Sequence, residues 1–321
     1  MRTLKINLFY DCTAECDHCR FFCRNDEIRF EPDYETPFTL ARQLHEHFGL
    51  DMAVVLGGEP SLYPARTHSL LSRLSKLGIQ TRLETNASWA RTPQSSLEFL
   101  RPLKSSDTQV MFSLDAFHLP YVSFENVVNA VTASMKLGIP CNLEIPYLDI
   151  ARKSNPLDRL TKEMDDRILD LFPEIRVCRG NVFFVGKAAV KFGDEFAAGK
   201  GIPDEPCAKA PWWRDGDFEN TNLVIYEPGG WITKGCGIAI GNIHRQDVTE
   251  MIRGYRAANN PIFAKLLQGG PLALAREAEQ YGYNIKKEYA DRCHLCHEAR
   301  SILRTRYPEI LQPESHYGLG R

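Results

Sequence analysis

Asp11-Cys12-Thr13-Ala14-Glu15-Cys16-Asp17-His18-Cys19 follows a strand-like run, Leu4–Phe9, and its cysteines stand in a C-x3-C-x2-C spacing. Three thiolates this close can hold three irons of a [4Fe–4S] cube and leave the fourth iron open to a small molecule. An open coordination position marks a metal that does chemistry, whereas a closed one marks scaffolding. Cys23 and His18 lie beside the trio, so zinc is a rival, although structural zinc sites usually split their ligands into two distant pairs.

Outward from this loop, strand and helix signals alternate to about residue 190. The strands read as Leu4–Phe9, Met52–Leu56, Gln80–Glu84, Val110–Leu114, Cys141–Ile145 and Arg176–Val185, with amphipathic helices between them. Two helices end in the same words, Lys76-Leu77-Gly78-Ile79 and Lys136-Leu137-Gly138-Ile139, where the glycine supplies a left-handed cap before a strand. Such repetition with right-handed crossovers predicts an α/β fold, a curved parallel sheet or open barrel with its chemistry at the C-terminal strand ends.

Short motifs stand at those ends. Leu56-Gly57-Gly58-Glu59-Pro60 closes the second strand, where glycines admit a close backbone approach and a carboxylate accepts from an ammonium group. Thr85-Asn86-Ala87 follows the third strand, and Ser113-Leu114-Asp115 ends the fourth. Asn142 and Glu144 end the fifth, and Val185-Gly186-Lys187-Ala188 the sixth. Short polar side chains there reach the hydroxyls and carboxylate of a bound nucleotide.

On these residues the chain resembles the radical S-adenosylmethionine (SAM) superfamily. The resemblance implies a partial (β/α)6 TIM-like barrel in which SAM sits on the open iron and is cleaved to a 5′-deoxyadenosyl radical. It further implies that His18 packs near the adenine, in place of the usual aromatic residue. Gly57, Gly58, Glu59 and Pro60 would take the SAM amino group. Asn86, Ser113 and Asp115 would take the ribose and carboxylate, and Gly186 the adenine.

Beyond residue 200 the alternation stops and Cys207, Cys236, Cys293 and Cys296 appear. Glu227-Pro228-Gly229-Gly230-Trp231-Ile232-Thr233 reads as a hairpin running toward Cys236, and Cys293-His294-Leu295-Cys296 is a C-x2-C pair at a helix start. The set is similar to the SPASM or shorter twitch extension, which implies one auxiliary [4Fe–4S] cluster. A tetrahedral zinc site, with His294 and His297 nearby, is the alternative from spacing alone. The expected division is a radical SAM barrel over residues 1–195 and an auxiliary domain with C-terminal helices over 196–321.

Cys23, Cys141 and Cys178 lie outside both sets. Cys178, in the sixth-strand region, is the candidate hydrogen-atom donor; Cys141 opens the fifth strand at the far end, and Cys23 reads as a spare thiol. Asp17-His18-Cys19, Ser113-x-Asp115-x-x-His118, Cys207 and Cys293-x-x-Cys296 make the chain similar to epipeptide-type and aminoglycoside epimerases and dehydrogenases. It departs at Gly235-Cys236, where epipeptide enzymes carry two adjacent cysteines, and Cys12 stands too near the start for a peptide-recognition domain before it. A compact cationic substrate would be held by carboxylates such as Glu84, Glu144 and Glu227, with His118 a further substrate candidate. Trp212 and Trp213 would cover the site, whereas His45 and His47 read as surface residues.

The 321 residues carry a net charge of −2, which offers no basic footprint for nucleic acid. No apolar stretch reaches a membrane span and the N-terminus lacks a secretory apolar region, so a cytoplasmic enzyme without a membrane partner is expected. Its ten cysteines then read as ligands and catalytic thiols. The reading is an epimerase acting on an aminocyclitol, amino sugar or peptide, fed by a flavodoxin- or ferredoxin-type donor. Its alternatives are a dehydrogenase or cross-linking maturase with the auxiliary cluster as electron acceptor, and a zinc-binding interaction protein.

Overall fold

The computed structural model describes residues 1–25, 32–208 and 217–319. Six strands run parallel and lie side by side in chain order: β1 (Thr3–Asn7), β2 (Met52–Leu56), β3 (Gln80–Thr85), β4 (Thr108–Ser113), β5 (Cys141–Tyr147) and β6 (Arg176–Asn181). Each is followed by a helix, respectively α1 (Glu35–Phe48), α2 (Pro64–Lys76), α3 (Pro93–Leu100), α4 (Phe124–Leu137), α5 (Pro156–Leu171) and α6 (Lys187–Phe192). A strand order that never reverses, joined by crossovers of one hand, puts every helix on the same sheet face. The other face becomes the inner wall of a partial barrel.

Strand alternation assigns the two faces. Leu83, Phe112, Leu143 and Ile145 are buried in the core that packs against the helices. Their neighbours Arg82, Glu84, Gln109, Ser113, Asn142 and Glu144 are only partly buried and face inward. A polar inner face cannot close on itself as an apolar core would, so the barrel keeps a cavity. Gly78 and Gly138, at φ 83° and 69°, make the left-handed turns into β3 and β5 that the repeated words predict.

The sixth strand is shorter than expected. It ends at Asn181: the Val182 amide makes a last bond to Tyr147 O at 2.6 Å, and the Val185 amide then donates to Phe183 O at 2.7 Å in a tight turn. After α6 the chain returns to the opposite edge, where β7 (Leu223–Glu227) pairs in parallel with β1. The antiparallel strands β8 (Trp231–Thr233) and β9 (Ala239–Asn242) complete a nine-stranded sheet. The later cysteine region therefore extends the barrel sheet itself. The helix α7 (Val248–Gly254) packs Val248, Met251 and Ile252 into the barrel core, whereas a separate apolar cluster, including Phe218, Phe263, Leu274 and Leu295, underlies α8 (Pro261–Glu279) and α9 (Arg292–Leu303). Among the described residues, no helix is long and apolar enough to cross a membrane.

Candidate active site

The cysteine loop after β1 is closed at its base. The Cys12 amide donates to Arg24 O at 2.6 Å, and the Arg24 amide donates to Tyr10 O at 3.2 Å. Its far side is clamped by the start of α6: the Lys187 amide donates to Cys19 O at 2.9 Å, while Lys187 Nζ reaches Glu15 O at 2.6 Å and Asp17 at 3.1 Å. Gly186, at φ 60°, would drive a Cβ to 2.1 Å from Arg20 O, so this glycine serves the clamp. Its amide donates to His297 Nδ1 at 3.4 Å.

Each of the three sulfurs receives a donor. Asn86 Nδ2 lies 3.8 Å from Cys12 Sγ, which the Ala14 amide also approaches. His118 bonds Cys16, and the Phe21 amide donates to Cys19 Sγ at 3.4 Å. Donors aimed at sulfur fit thiolates. Burial pushes the Cys12 thiol up, and Cys23, next to Cys19, is pushed up by that thiol and by burial. Cys19 is pulled down to about 6, chiefly by the Cys23 thiol. A bound cation would remove the burial penalty on thiolate, so the donor set fits an iron–sulfur cluster.

Gly58 and Glu59 join the second strand end to this loop. The Gly58 amide donates to Phe9 O at 2.6 Å and the Glu59 amide to Asp11 O at 2.9 Å. A Cβ on Gly58 would fall 1.7 Å from Asp11 O, and one on Gly57, at φ 155°, 2.9 Å from Phe9 O. The close approach predicted for these glycines is thus made by the chain's own backbone. Gly58→Ala should destabilise the protein by roughly 3 kcal/mol and strip iron from the first site, read by iron analysis beside an unfolding curve; normal iron content would refute this.

Glu59 is fully buried, and burial pushes its carboxyl up. Its Oε1 accepts from the Ser61 amide at 2.9 Å and from Thr85 Oγ1 at 2.7 Å, and Oε2 accepts from the Asn86 amide at 2.8 Å. One lone pair on Oε2 remains for a ligand. Pro60, the first residue of a short 3-10 turn, is buried behind it. Asp115 is more fully committed. It accepts from the Phe117 and His118 amides at 2.9 and 3.0 Å and from His118 Nδ1 at 2.8 Å, and lies 3.6 Å from His18 Nε2. Burial opposes its charge, but the two histidines hold Asp115 at about 2. Burial also works against His118, which Asp115 and Cys16 hold well above the ordinary histidine range. His18 is pushed down to about 4 by burial and stacks on Phe117 at 4.4 Å. These three residues buttress the loop.

A cavity of about 940 Å³ opens at the strand ends, and Cys12, Cys16, Cys19 and Cys23 share its wall with Gly57, Gly58, Glu59, Asn86 and Ser113. Glu84, Glu144 and Cys178 line it too. Cys178 pairs in register with Glu144 and so shares its inward face, whereas the next residue, Arg179, sends its guanidinium outward to Asp165 at 2.6 Å. The inward placement predicted for Cys178 follows. Glu84 meets Lys5 Nζ at 3.3 Å, and Glu144 lies 3.6 Å from Arg20. Both cations went unremarked in the sequence, because nothing local marks a lysine in an apolar strand or an arginine after a cysteine as an inner-wall residue.

The second cysteine set also converges. Cys207 is placed by its amide, which donates to Leu266 O at 2.8 Å on α8; that helix kinks at Gly270, whose Cβ would meet Glu205 O at 2.1 Å. Cys236 has φ 60° at the tip of a Gly235–Gly237 turn, an unusual conformation for a side chain with a Cβ. Cys293 and Cys296 occupy the first turns of α9, capped by Asp291 Oδ1, which accepts from the His294 amide at 2.8 Å. Cys293 feels the charges of Cys236, Cys296 and Cys207. Four buried or half-buried thiols in mutual electrostatic reach fit a closed cluster. Cys207 and Arg292 line the large cavity as well, so the second set borders the first.

Two expectations fall elsewhere. Glu227 is fully buried and spends its carboxylate on Asn7, Tyr10 and His316, away from the cavity wall. His45 is no free surface group, since its Nδ1 meets Leu50 O at 2.8 Å beyond the end of α1. Trp212 and Trp213 lie outside the described residues.

Residues 6–150 match the family model described as the radical SAM superfamily. The "Putative peptide biosynthesis protein YydG" of Bacillus subtilis (strain 168) is 23% identical over 246 residues, covering 74% of this chain and 70% of the relative. Native anSMEcpe with bound AdoMet matches with a TM-score of 0.50 at 12% identity, over 96% of this chain and 98% of that one. Streptococcus suis SuiB bound to S-adenosylmethionine matches with a TM-score of 0.49 at 15% identity over 77% of this chain. The match spans 64% of SuiB, less than two thirds of its length. The fold is shared with anSMEcpe along nearly the whole chain.

Proposed function

Because the chain is a radical SAM enzyme with an auxiliary domain, we propose that it is an epimerase acting on a peptide or a compact, amino-bearing natural product, with Cys178 as hydrogen donor. The observation that carries this is Cys178 on the inner wall of the cavity that Cys12, Cys16 and Cys19 also border. When bound, the cluster and SAM supply a 5′-deoxyadenosyl radical that takes a hydrogen atom from an unactivated carbon. The chain's task is to fix which face of that carbon receives the replacement. Cys178 Sγ–H gives a hydrogen atom from the β6 side and is left as a thiyl radical, which a flavodoxin- or ferredoxin-type carrier reduces with one electron while a proton returns from solvent.

Substrate recognition falls to the same wall. Glu144 is the carboxylate in register with Cys178 and is 40% exposed, so it can accept from a substrate ammonium. Glu84 is already compensated by Lys5 and orients hydroxyls more readily than it neutralises a cation. His118 is held between Asp115 and Cys16, which leaves it a supporting part. The printed name of the Bacillus relative, a peptide biosynthesis protein, supports keeping peptides among the substrates.

A second reading has its own observation. Cys207 on the cavity wall would bring the auxiliary cluster to the substrate as an electron acceptor, and oxidation or cross-linking would replace epimerisation. Cys178→Ala, assayed in deuterated water, separates the two. The epimerase reading expects one solvent deuterium in the wild-type product and at least a hundredfold loss of product in the variant, with SAM cleavage retained. Unchanged turnover without deuterium would leave the oxidative reading.

A further inference from the structure

We propose that Arg300 is the fixed counter-charge of the auxiliary site and sets the reduction potential of the cluster held by Cys207, Cys236, Cys293 and Cys296. The inference rests on reading those four thiols as the ligands. Arg300 is 1% exposed, one turn after Cys296 on α9. Its Nε donates to Cys296 Sγ at 3.3 Å and to Cys296 O at 3.2 Å, and its Nη1 donates to Tyr317 Oη at 3.0 Å. The tyrosine ring lies 5.6 Å from the guanidinium carbon, and its hydroxyl donates onward to Gly237 O at 2.7 Å, next to Cys236.

Charge balance carries the argument. A guanidinium remains protonated in any protein environment, and a buried charge is costly unless an opposite charge compensates it. Among the described residues, no ion pair joins Arg300 to a carboxylate. The groups that act on it most strongly are Tyr317 and the thiols of Cys296 and Cys236. Neutral thiols would leave the cation uncompensated, whereas metal-bound thiolates supply negative charge where the guanidinium points. A positive charge and an N–H···S bond at one ligand favour the more negative, reduced cluster, and so raise its potential. An arginine that merely packed α9 would have no such effect.

The test is a spectroscopic redox titration of the reconstituted full chain in a Cys16→Ala background, in which the auxiliary cluster alone titrates. Arg300→Gln is expected to weaken electron uptake by about tenfold, a downward shift of ~59 mV for one electron, while Arg300→Lys keeps most of the wild-type potential. Full iron with an unmoved potential in Arg300→Gln overturns the inference and leaves the cluster reading intact. If Arg300→Gln loses its iron while Arg300→Lys retains it, the counter-charge is supported; loss in both assigns Arg300 to packing and overturns it. Zinc in place of iron overturns the cluster reading and this inference together.

Discussion

Cys16→Ala is expected to abolish deoxyadenosine release while leaving the protein folded and still coloured. The substitution removes one of three sulfurs at the first site, and a cube held by two thiolates with two open irons is not retained. Iron should fall from about eight to about four per chain, the auxiliary cluster accounting for the remainder. The fold should tolerate the change. Cys16 belongs to the small apolar cluster with Ala14, Phe117 and Phe184, and an alanine there loses one sulfur's contacts, roughly 1 kcal/mol. The loop is held independently by the Cys12–Arg24 and Lys187–Cys19 backbone bonds. Anaerobic iron and sulfide analysis, with SAM turnover, reads the outcome; a variant that keeps full iron and cleaves SAM would remove Cys16 from the ligand set.

What the sequence disclosed and what it hid follow from the range of the interactions. The cysteine loop, the Gly57-Gly58-Glu59 turn and the Ser113–Asp115 strand end are local patterns, and each lies at the C-terminal end of its strand where alternation places it. The inward face of Cys178 was also accessible, since strand period fixes it relative to Glu144. The partners of these residues were less accessible. Gly58 is expected to admit a ligand's close approach and Gly186 to meet the adenine, and each also presses on backbone of the cysteine loop, a contact between segments more than forty residues apart. Asp115 was read as reaching a ribose, but two amides and a histidine three residues or fewer away already occupy it. A motif thus reports that a strand end is built for a cofactor, without saying which of its residues touch the cofactor and which hold the residues that do.

The hidden part is clearest at Glu227. Its hairpin was legible, but the pairing of β7 with β1 was not, because no local pattern specifies which edge a strand more than two hundred residues later will join. That pairing sets Glu227 beside Asn7, whose Nδ2 donates to Oε2 at 2.7 Å; the Tyr10 hydroxyl donates there at 2.8 Å, and His316 Nε2 meets Oε1 at 2.9 Å. One carboxylate joins the first strand, the entry to the cysteine loop and the C-terminal turn.

Glu227→Ala should therefore be among the most damaging changes outside the cysteines. It leaves an amide, a phenol and an imidazole buried without their acceptor, a loss of about 3–5 kcal/mol. The damage should also spread in a stated direction. His316 packs against Gly237, where an added Cβ would lie 2.8 Å from its own Cβ, so releasing His316 frees the turn that presents Cys236. Auxiliary iron should then fall more than iron at the first site. Hydrogen exchange should speed first at residues 314–317 and 235–237, ahead of β2 to β5, with an earlier midpoint in thermal unfolding. Glu227→Gln, which keeps the size and one acceptor oxygen, should fall between the alanine variant and wild type. If the alanine variant keeps both the wild-type midpoint and its exchange protection at those turns, Glu227 does not tie the two cysteine regions together.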